Sequence, residues 1–508
     1  MAVQAVELRG IDKWFGDVHA NRDVSIAVRA GTIHGIVGEN GAGKSTLMGI
    51  LYGYHHADRG EMLVRGRPAA FRSAQDALAA GIGMVHQHFM LVEPFTVLEN
   101  VVLGVEGGFR LRAGMARARA ELARLGREYH LEVDPDARVA DLGVGQRQRV
   151  EILKALYRGA DLLILDEPTA VLTPQEADHL FEILRALRRQ GKTVLLITHK
   201  LREIREVTDV VTVMRQGRVV ATLPTAETTP EGLAELMVGR AVALRVDKAP
   251  RRPGEPLLEV TDLVVEDGLG VERVKGVSFS VRRGEIVGVA GVAGNGQSEL
   301  LEALAGMRPV RSGRIRFKSH DLDGSEPRDV RRLGVGHVPE DRQRLGLVIP
   351  FVARESAILG YQREARYNGA ILLRRAALAS SWAKQAAEYD IRPGNGLLPT
   401  SAFSGGNQQK IVLARELDRN PDLLLVGQPT RGVDIGAIEF IHRRLVALRD
   451  ADRGVLVVSV ELDEILALAD RILVMHDGRL VGDVPQENAT EQTLGLMMAG
   501  VPAGPSSG

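Results

Sequence analysis

The residues best equipped for chemistry form one run of eight, Gly38-Glu39-Asn40-Gly41-Ala42-Gly43-Lys44-Ser45. A GxxxxGK[ST] loop after a strand turns consecutive backbone N–H groups toward one point, and the helix that follows aims its positive end there. Such a cradle suits a polyphosphate. Gly38, Asn40, Gly41 and Gly43 would shape it, Lys44 would reach the outer phosphates, Ser45 would offer magnesium a hydroxyl, and Thr46 would complete the first helical turn. Further along, Asp166 closes the apolar run Leu162 to Leu165, so its carboxylate emerges at the carboxyl edge of a buried strand, where such folds bind ligands. A hard oxygen there suits magnesium. Glu167, next in line, can polarise an attacking water as general base. His199 follows the apolar run Val194 to Ile197 and could reach a γ-phosphate from a third strand end. Gln87 heads a loop after Gly83-Met84-Val85-His86, where it could ligate magnesium or orient the water. Phe15 offers a ring for adenine, with core packing as its plainer alternative.

These residues need a sheet whose strands end together. Short apolar runs at Leu162 to Leu165, Val194 to Ile197 and Val455 to Val458 read as strands buried on both faces. Helical text such as EADHLFEILRALRR lies between them, and the alternation predicts an α/β fold with a mainly parallel sheet. The chain is also an internal duplication. Gly291-Val292-Ala293-Gly294-Asn295-Gly296-Gln297-Ser298 repeats the loop, and Lys44 to Gln297 and Gly38 to Gly291 are both steps of 253. Asp166-Glu167-Pro168-Thr169 returns as Gly427-Gln428-Pro429-Thr430 at a step of 261, eight residues having been gained in between. The expected division is a first domain over 1–246, a linker over 247–256, a second domain over 257–500 and a disordered tail over 501–508. The linker text, DKAPRRPGEP, holds three prolines, and its basic cluster reads as solvated. The basic stretch over 109–130 reads as a helix with a solvated face, docking on a permease being its functional alternative.

A formal net charge of zero gives no support to a large nucleic-acid footprint. The absence of cysteine fits a reducing cytosol. No apolar run approaches the roughly 20 residues that span a bilayer, and MAVQAVELRG lacks a signal-peptide pattern. A membrane role would be peripheral, through a partner.

Phe403-Ser404-Gly405-Gly406-Asn407-Gln408-Gln409-Lys410 closely resembles the signature motif of ATP-binding cassette (ABC) proteins. With the loop and the Asp-Glu pair, it makes the chain resemble the tandem ATPase subunit of bacterial sugar and nucleoside importers, from about residue 5 to 500. VHQHFMLVEPFTVLENVVLG and DEPTAVLTPQE are more similar to the nucleoside branch. The resemblance implies two P-loop ATPase domains, each with a mainly parallel sheet, an antiparallel β subdomain and a helical signature subdomain. It implies ATP and Mg2+ as cofactors, two membrane permease subunits and, indirectly, an extracytoplasmic solute-binding protein as partners, and an intramolecular pseudo-dimer of the two halves.

In that family each nucleotide lies between the loop of one cassette and the signature of the other. One composite site would join Phe15, Lys44, Ser45, Gln87, Asp166, Glu167 and His199 to Ser404, Gly405, Gly406, Asn407 and Asp434. The other is degraded throughout: Lys44, Gln87, Asp166, Glu167 and His199 become Gln297, Glu340, Gly427, Gln428 and Val460. The first half's signature has Gly143 for Ser404, and Thr173 stands for Asp434. Drift confined to one half would have spared that signature. Two rivals are a soluble tandem cassette ATPase working on ribosomes or nucleic acid, and a non-hydrolytic ATP sensor. The short linker and zero net charge oppose the first, and intact Asp166, Glu167 and His199 oppose the second.

Overall fold

The chain divides into two compact units, Met1–Val242 and Ala243–Gly508. The computed structural model describes residues 3–86, 89–105, 111–169, 172, 174–241, 248–250, 253–292, 294–369, 372–433 and 435–500. The expectations for Gln87, Thr173, Asp434 and the tail over 501–508 lie outside these residues.

In the first unit, strands Gln4–Phe15, Val18–Arg29, Arg59–Val64 and Arg67–Ala69 make an antiparallel sheet. A six-stranded sheet follows in the order Arg218–Pro224, Val210–Arg215, Ile33–Gly38, Thr193–Thr198, Leu162–Asp166, Ile82–Val85. Every pair in it is parallel except the edge hairpin of Val210–Arg215 with Arg218–Pro224. Leu162 and Ile164 enter one hydrophobic cluster with Leu47 and Leu51, while Leu163 and Leu165 enter another with Leu184 and Leu187. Period-2 alternation thus buries both faces, which is why the strand reads as an unbroken apolar run.

Register brings the strand ends level. Val37 pairs with Thr198, and Ile197 with Asp166. The glycine loop, His199 and the Asp-Glu pair therefore leave one edge of three adjacent strands.

The second unit repeats the plan. Its antiparallel sheet runs Glu272–Arg282, Pro256–Glu266, Ser312–Phe317, His320–Asp321, and its larger sheet runs Val335–Val338, Leu423–Gly427, Gly454–Ser459, Ile286–Gly291, Arg471–His476, Arg479–Pro485. Here Ala290 pairs with Ser459 and Gly427 with Val458, so the same edge forms.

The linker reading changes at one residue. Lys248 donates to the carbonyls of Leu468 and Ala469 and pairs with Asp470 at 2.8 Å, so it is anchored on the second unit rather than solvated. Helix Leu111–Tyr129 buries Ala118, Leu122, Leu125 and Tyr129, and its Arg119 and Arg124 form ion pairs with Asp136, Glu121 and Glu128. Among the described residues no helix is long and apolar enough to cross a membrane.

Candidate functional site

The loop between strand Ile33–Gly38 and helix Lys44–Leu51 is held from both ends. A Cβ on Gly38 would meet the Met214 carbonyl and stand 2.9 Å from Ala42 Cβ, so only glycine fits against the neighbouring strand. Gly41 (φ 82°) and Gly43 (φ 95°) take left-handed conformations, and Gly43 caps the helix. Asn21 donates to the Gly43 carbonyl at 3.0 Å. Asn40, Gly41 and Ser45 are exposed and Thr46 is half-buried.

Lys44 is buried, and its Nζ donates to the carbonyls of Gly38 at 2.6 Å and Glu39 at 3.1 Å. Burial lowers its pKa, while the charges of Glu167, Asp166 and Glu39 oppose that shift. The same proximity acts on Asp166, whose carboxyl is pushed up to about 6 by burial and by Glu167, against the pull of Lys44. A carboxylate this reluctant to hold its charge is one that a cation would stabilise.

Glu167 has φ 47° and donates its N–H to the Ile197 carbonyl at 2.8 Å. The left-handed turn tips the chain off the strand end. His199 Nδ1 then lies 2.9 Å from Glu167 Oε1. Burial raises the Glu167 pKa, but the His199 hydrogen bond and the charges of His199, Lys44 and Lys200 outweigh it, leaving the carboxyl below its ordinary value. The two neighbours are thus split, Asp166 upward and Glu167 downward, because only Glu167 has His199 as a hydrogen-bond partner.

Sequence reasoning missed what braces this turn. Thr169 donates its hydroxyl to buried Glu203, and Gln148 Nε2 donates to the Pro168 carbonyl at 2.8 Å. The signal was in the repeat, since Thr430 and Glu464 keep both types at the step of 261 where the catalytic types are lost. Phe15 ends its strand 44% exposed, with His55 edge-on at 5.2 Å and Lys13 Nζ 5.4 Å from the ring centre, so core packing does not account for it.

In the second unit Ser404 caps helix Gly405–Leu417, its Oγ accepting Asn407 Nδ2–H at 2.9 Å. Asn407 Oδ1 accepts the Arg392 N–H at 2.7 Å. A Cβ on Gly405 would stand 2.6 Å from Arg342 Nη2, and Gly406 is buried. The first unit's counterpart differs: Gly143 brings no hydroxyl, and the Gly145 N–H donates to Glu176 Oε1 at 3.2 Å, where the second unit has Ala437.

The second loop keeps its shape without its chemistry. Gly294 (φ 91°) and Gly296 (φ 97°) match Gly41 and Gly43. Gln428 repeats the φ of 47° and donates its N–H to Val458 at 2.8 Å, but it carries an amide and faces Val460 in place of histidine. Burial raises the Glu340 pKa, with Ser298 and Arg431 opposing.

The ABC transporter family model matches residues 21–170 and 274–431. The nucleoside import ATP-binding protein NupA of Lactococcus lactis subsp. cremoris (strain MG1363) is 48% identical over 495 residues, which cover 97% of this chain and 98% of that protein. The guanosine import ATP-binding protein NupO of Bacillus subtilis (strain 168) is 46% identical over 495 residues, 97% of each chain. A solved archaeal complex of ribosomal stalk protein aP1 and ribosome recycling factor aABCE1 matches 98% of this chain and 94% of its own at a TM-score of 0.61 and 20% identity, a likeness of fold. The first match spans the glycine loop and the Asp-Glu pair, and the second spans their counterparts together with the Ser404 motif: the chain is an ATPase of the ABC transporter family.

Proposed function

We propose that this chain powers an importer of nucleosides or a related sugar-containing solute, docking on the cytoplasmic face of two permease subunits served by an extracytoplasmic solute-binding protein. The observation that carries the reading is the sorting of losses: Lys44, Asp166, Glu167 and His199 are kept in one half and Ser404 in the other, while each counterpart is gone. Near-full-length relatives named for nucleoside and guanosine import give the solute class.

In the proposed cycle, the first half's loop and the second half's signature close on one ATP. The Gly41 to Ser45 amides and Lys44 hold the phosphates, Phe15 stacks on adenine, and Gly405, Gly406, Asn407 and Asp434 complete the cradle from the signature side. Ser45, Asp166 and Gln87 would hold magnesium, which supplies charge neutralisation between β- and γ-phosphates. Glu167 takes the proton of the attacking water, and His199 orients that carboxylate through its 2.9 Å contact. Ser404 and the helix it caps face the γ-phosphate with N–H groups. Closure on ATP and reopening after hydrolysis give the permease its two states.

The test is uptake by vesicles holding the chain with its permease subunits, offered nucleosides and pentoses in parallel. ATP-dependent uptake of a nucleoside is the expected result. Coupling to ribosomes instead, or uptake of neither class, would overturn the reading.

A further inference from the structure

Arg342 brings a positive charge to the end of a helix that is already positive. Its segment, a single π-helical turn over Arg342–Gly346, runs along helix Gly405–Leu417: Gln343 Nε2 donates to Gln408 Oε1 at 3.2 Å, and Arg415 Nη1 donates to the Gly346 carbonyl at 2.6 Å. The arginine is thereby held at the N-terminal end of that helix, beside Ser404. Gly405 lets it come close, since a Cβ there would stand 2.6 Å from Nη2, and a Cβ on Gly432 would stand 3.5 Å from the same atom. Nη1 donates to the Arg431 carbonyl at 2.7 Å, while Nε is buried without a partner.

This is an unfavourable place for a cation. A helix N-terminus carries about half a positive charge of its own. Burial lowers the Arg342 pKa, Asp341 opposes that shift, and the like charge of Arg431 adds to it. Asp341 turns its Oδ1 to the N–H groups of Gln343 and Arg344 at 3.0 Å each. An incoming anion would relieve the helix end and the guanidinium together.

The first half supplies that anion from its own chain. At the start of its helix Val144–Tyr157 the Gly145 N–H donates to Glu176 Oε1 at 3.2 Å. At the repeat steps Glu176 becomes Ala437, Phe89 becomes Arg342 and Val144 becomes Gly405. One half thus has a carboxylate and no cation at these positions, and the other has a cation and no carboxylate.

We propose that Arg342 is a further phosphate-contacting residue of the hydrolytic reaction, its guanidinium meeting the γ-phosphate beside Ser404. The proposal rests on the pairing of the Lys44 loop with the Ser404 motif. A planar fork of N–H donors suits phosphate oxygens, and a fixed positive charge there stabilises the γ-phosphoryl group as it passes to water.

The test is steady-state ATP turnover by the full chain with its permease subunits, in Arg342→Ala and Arg342→Lys, with and without guanidinium ion at concentrations that leave the parent unaffected. Arg342→Ala should lower kcat by about 10²-fold, the order lost with one donor aimed at developing charge, and should change KM for ATP less. Arg342→Lys, which keeps the charge without the fork, should fall between Arg342→Ala and the parent. Guanidinium should raise turnover of Arg342→Ala severalfold and leave Ser404→Arg inactive. Parent-like turnover in Arg342→Ala, with Ser404→Arg inactive, overturns the proposal alone. A loss that neither Arg342→Lys nor guanidinium lessens also overturns it, Arg342 then serving only to brace Arg431. Parent-like turnover in Ser404→Arg overturns the pairing on which the proposal rests.

Discussion

His199 Nδ1 lies 2.9 Å from Glu167 Oε1, joining the ends of two adjacent strands. In the second half Val460 cannot make this contact, and Gln428 turns its Oε1 to the backbone N–H of Val460 instead. On the proposed reading, hydrolysis depends on a pair that only one half possesses. His199→Ala should lower kcat by about 10²- to 10⁴-fold, the usual range for a misplaced general base. ATP affinity should change little, and single-turnover kinetics separate the two effects.

Ser404 is expected to meet the nucleotide held by Lys44, 360 positions earlier in the chain. Ser404→Arg should block closure and reduce ATPase activity severely. Gly143→Arg, at the counterpart position, would fall on the degraded site of the proposed pairing and should do less. Steady-state ATPase assays of the two variants with the permease make the comparison, and equal losses would contradict the pairing.

Restoring the loop lysine alone should not revive the second half. Gln297→Lys adds a phosphate contact, but position 427 has no carboxylate, Glu340 fills its space, and Gln428 is no base. These groups act as a unit and their effects are not additive. Made in Glu167→Gln, the change is expected to leave phosphate release at background.

Acid should destabilise the first half through a residue far from its chemistry. His34 is buried in the loop strand, bonded to Thr212 Oγ1 at 2.8 Å, and burial pushes its pKa down from 6.5 to about 4. The folded state holds it neutral, so the unfolded chain binds the proton first. Its contribution is complete above about pH 6.5 and is lost as pH falls toward 4, on the order of 3 kcal/mol in all. His337 in the second half is shifted the same way by burial. Urea unfolding from pH 7 to 4 should show the slope, and His34→Gln, which keeps a hydrogen-bonding arm, should flatten it for the first unit.

Much of this site was legible because its parts are local. Gly38 to Ser45, Asp166-Glu167 and the Ser404 motif are contiguous runs, and the apolar strands ahead of them announce where each must end. The repeat added a second layer, since a fixed step turns one sequence into two aligned ones. What the sequence hid was contact across strands. That His199 would meet Glu167, that Glu203 would brace Thr169, and that Glu340 would fill the space beside Gly427 all depend on register and side-chain reach between residues 32 to 87 positions apart. Lys248 was misread for the same reason: its partners, Leu468, Ala469 and Asp470, are some 220 residues away.

The central claim is that one of two similar halves performs all the hydrolysis. The most direct measurement is ATP turnover by the chain with its permease, comparing Glu167→Gln with Gln428→Ala, the same position in each half. Glu167→Gln should fall by at least about 10²-fold while still binding ATP, and Gln428→Ala should keep the parent rate. Turnover near the parent rate in Glu167→Gln, or its loss in Gln428→Ala alone, would contradict the account.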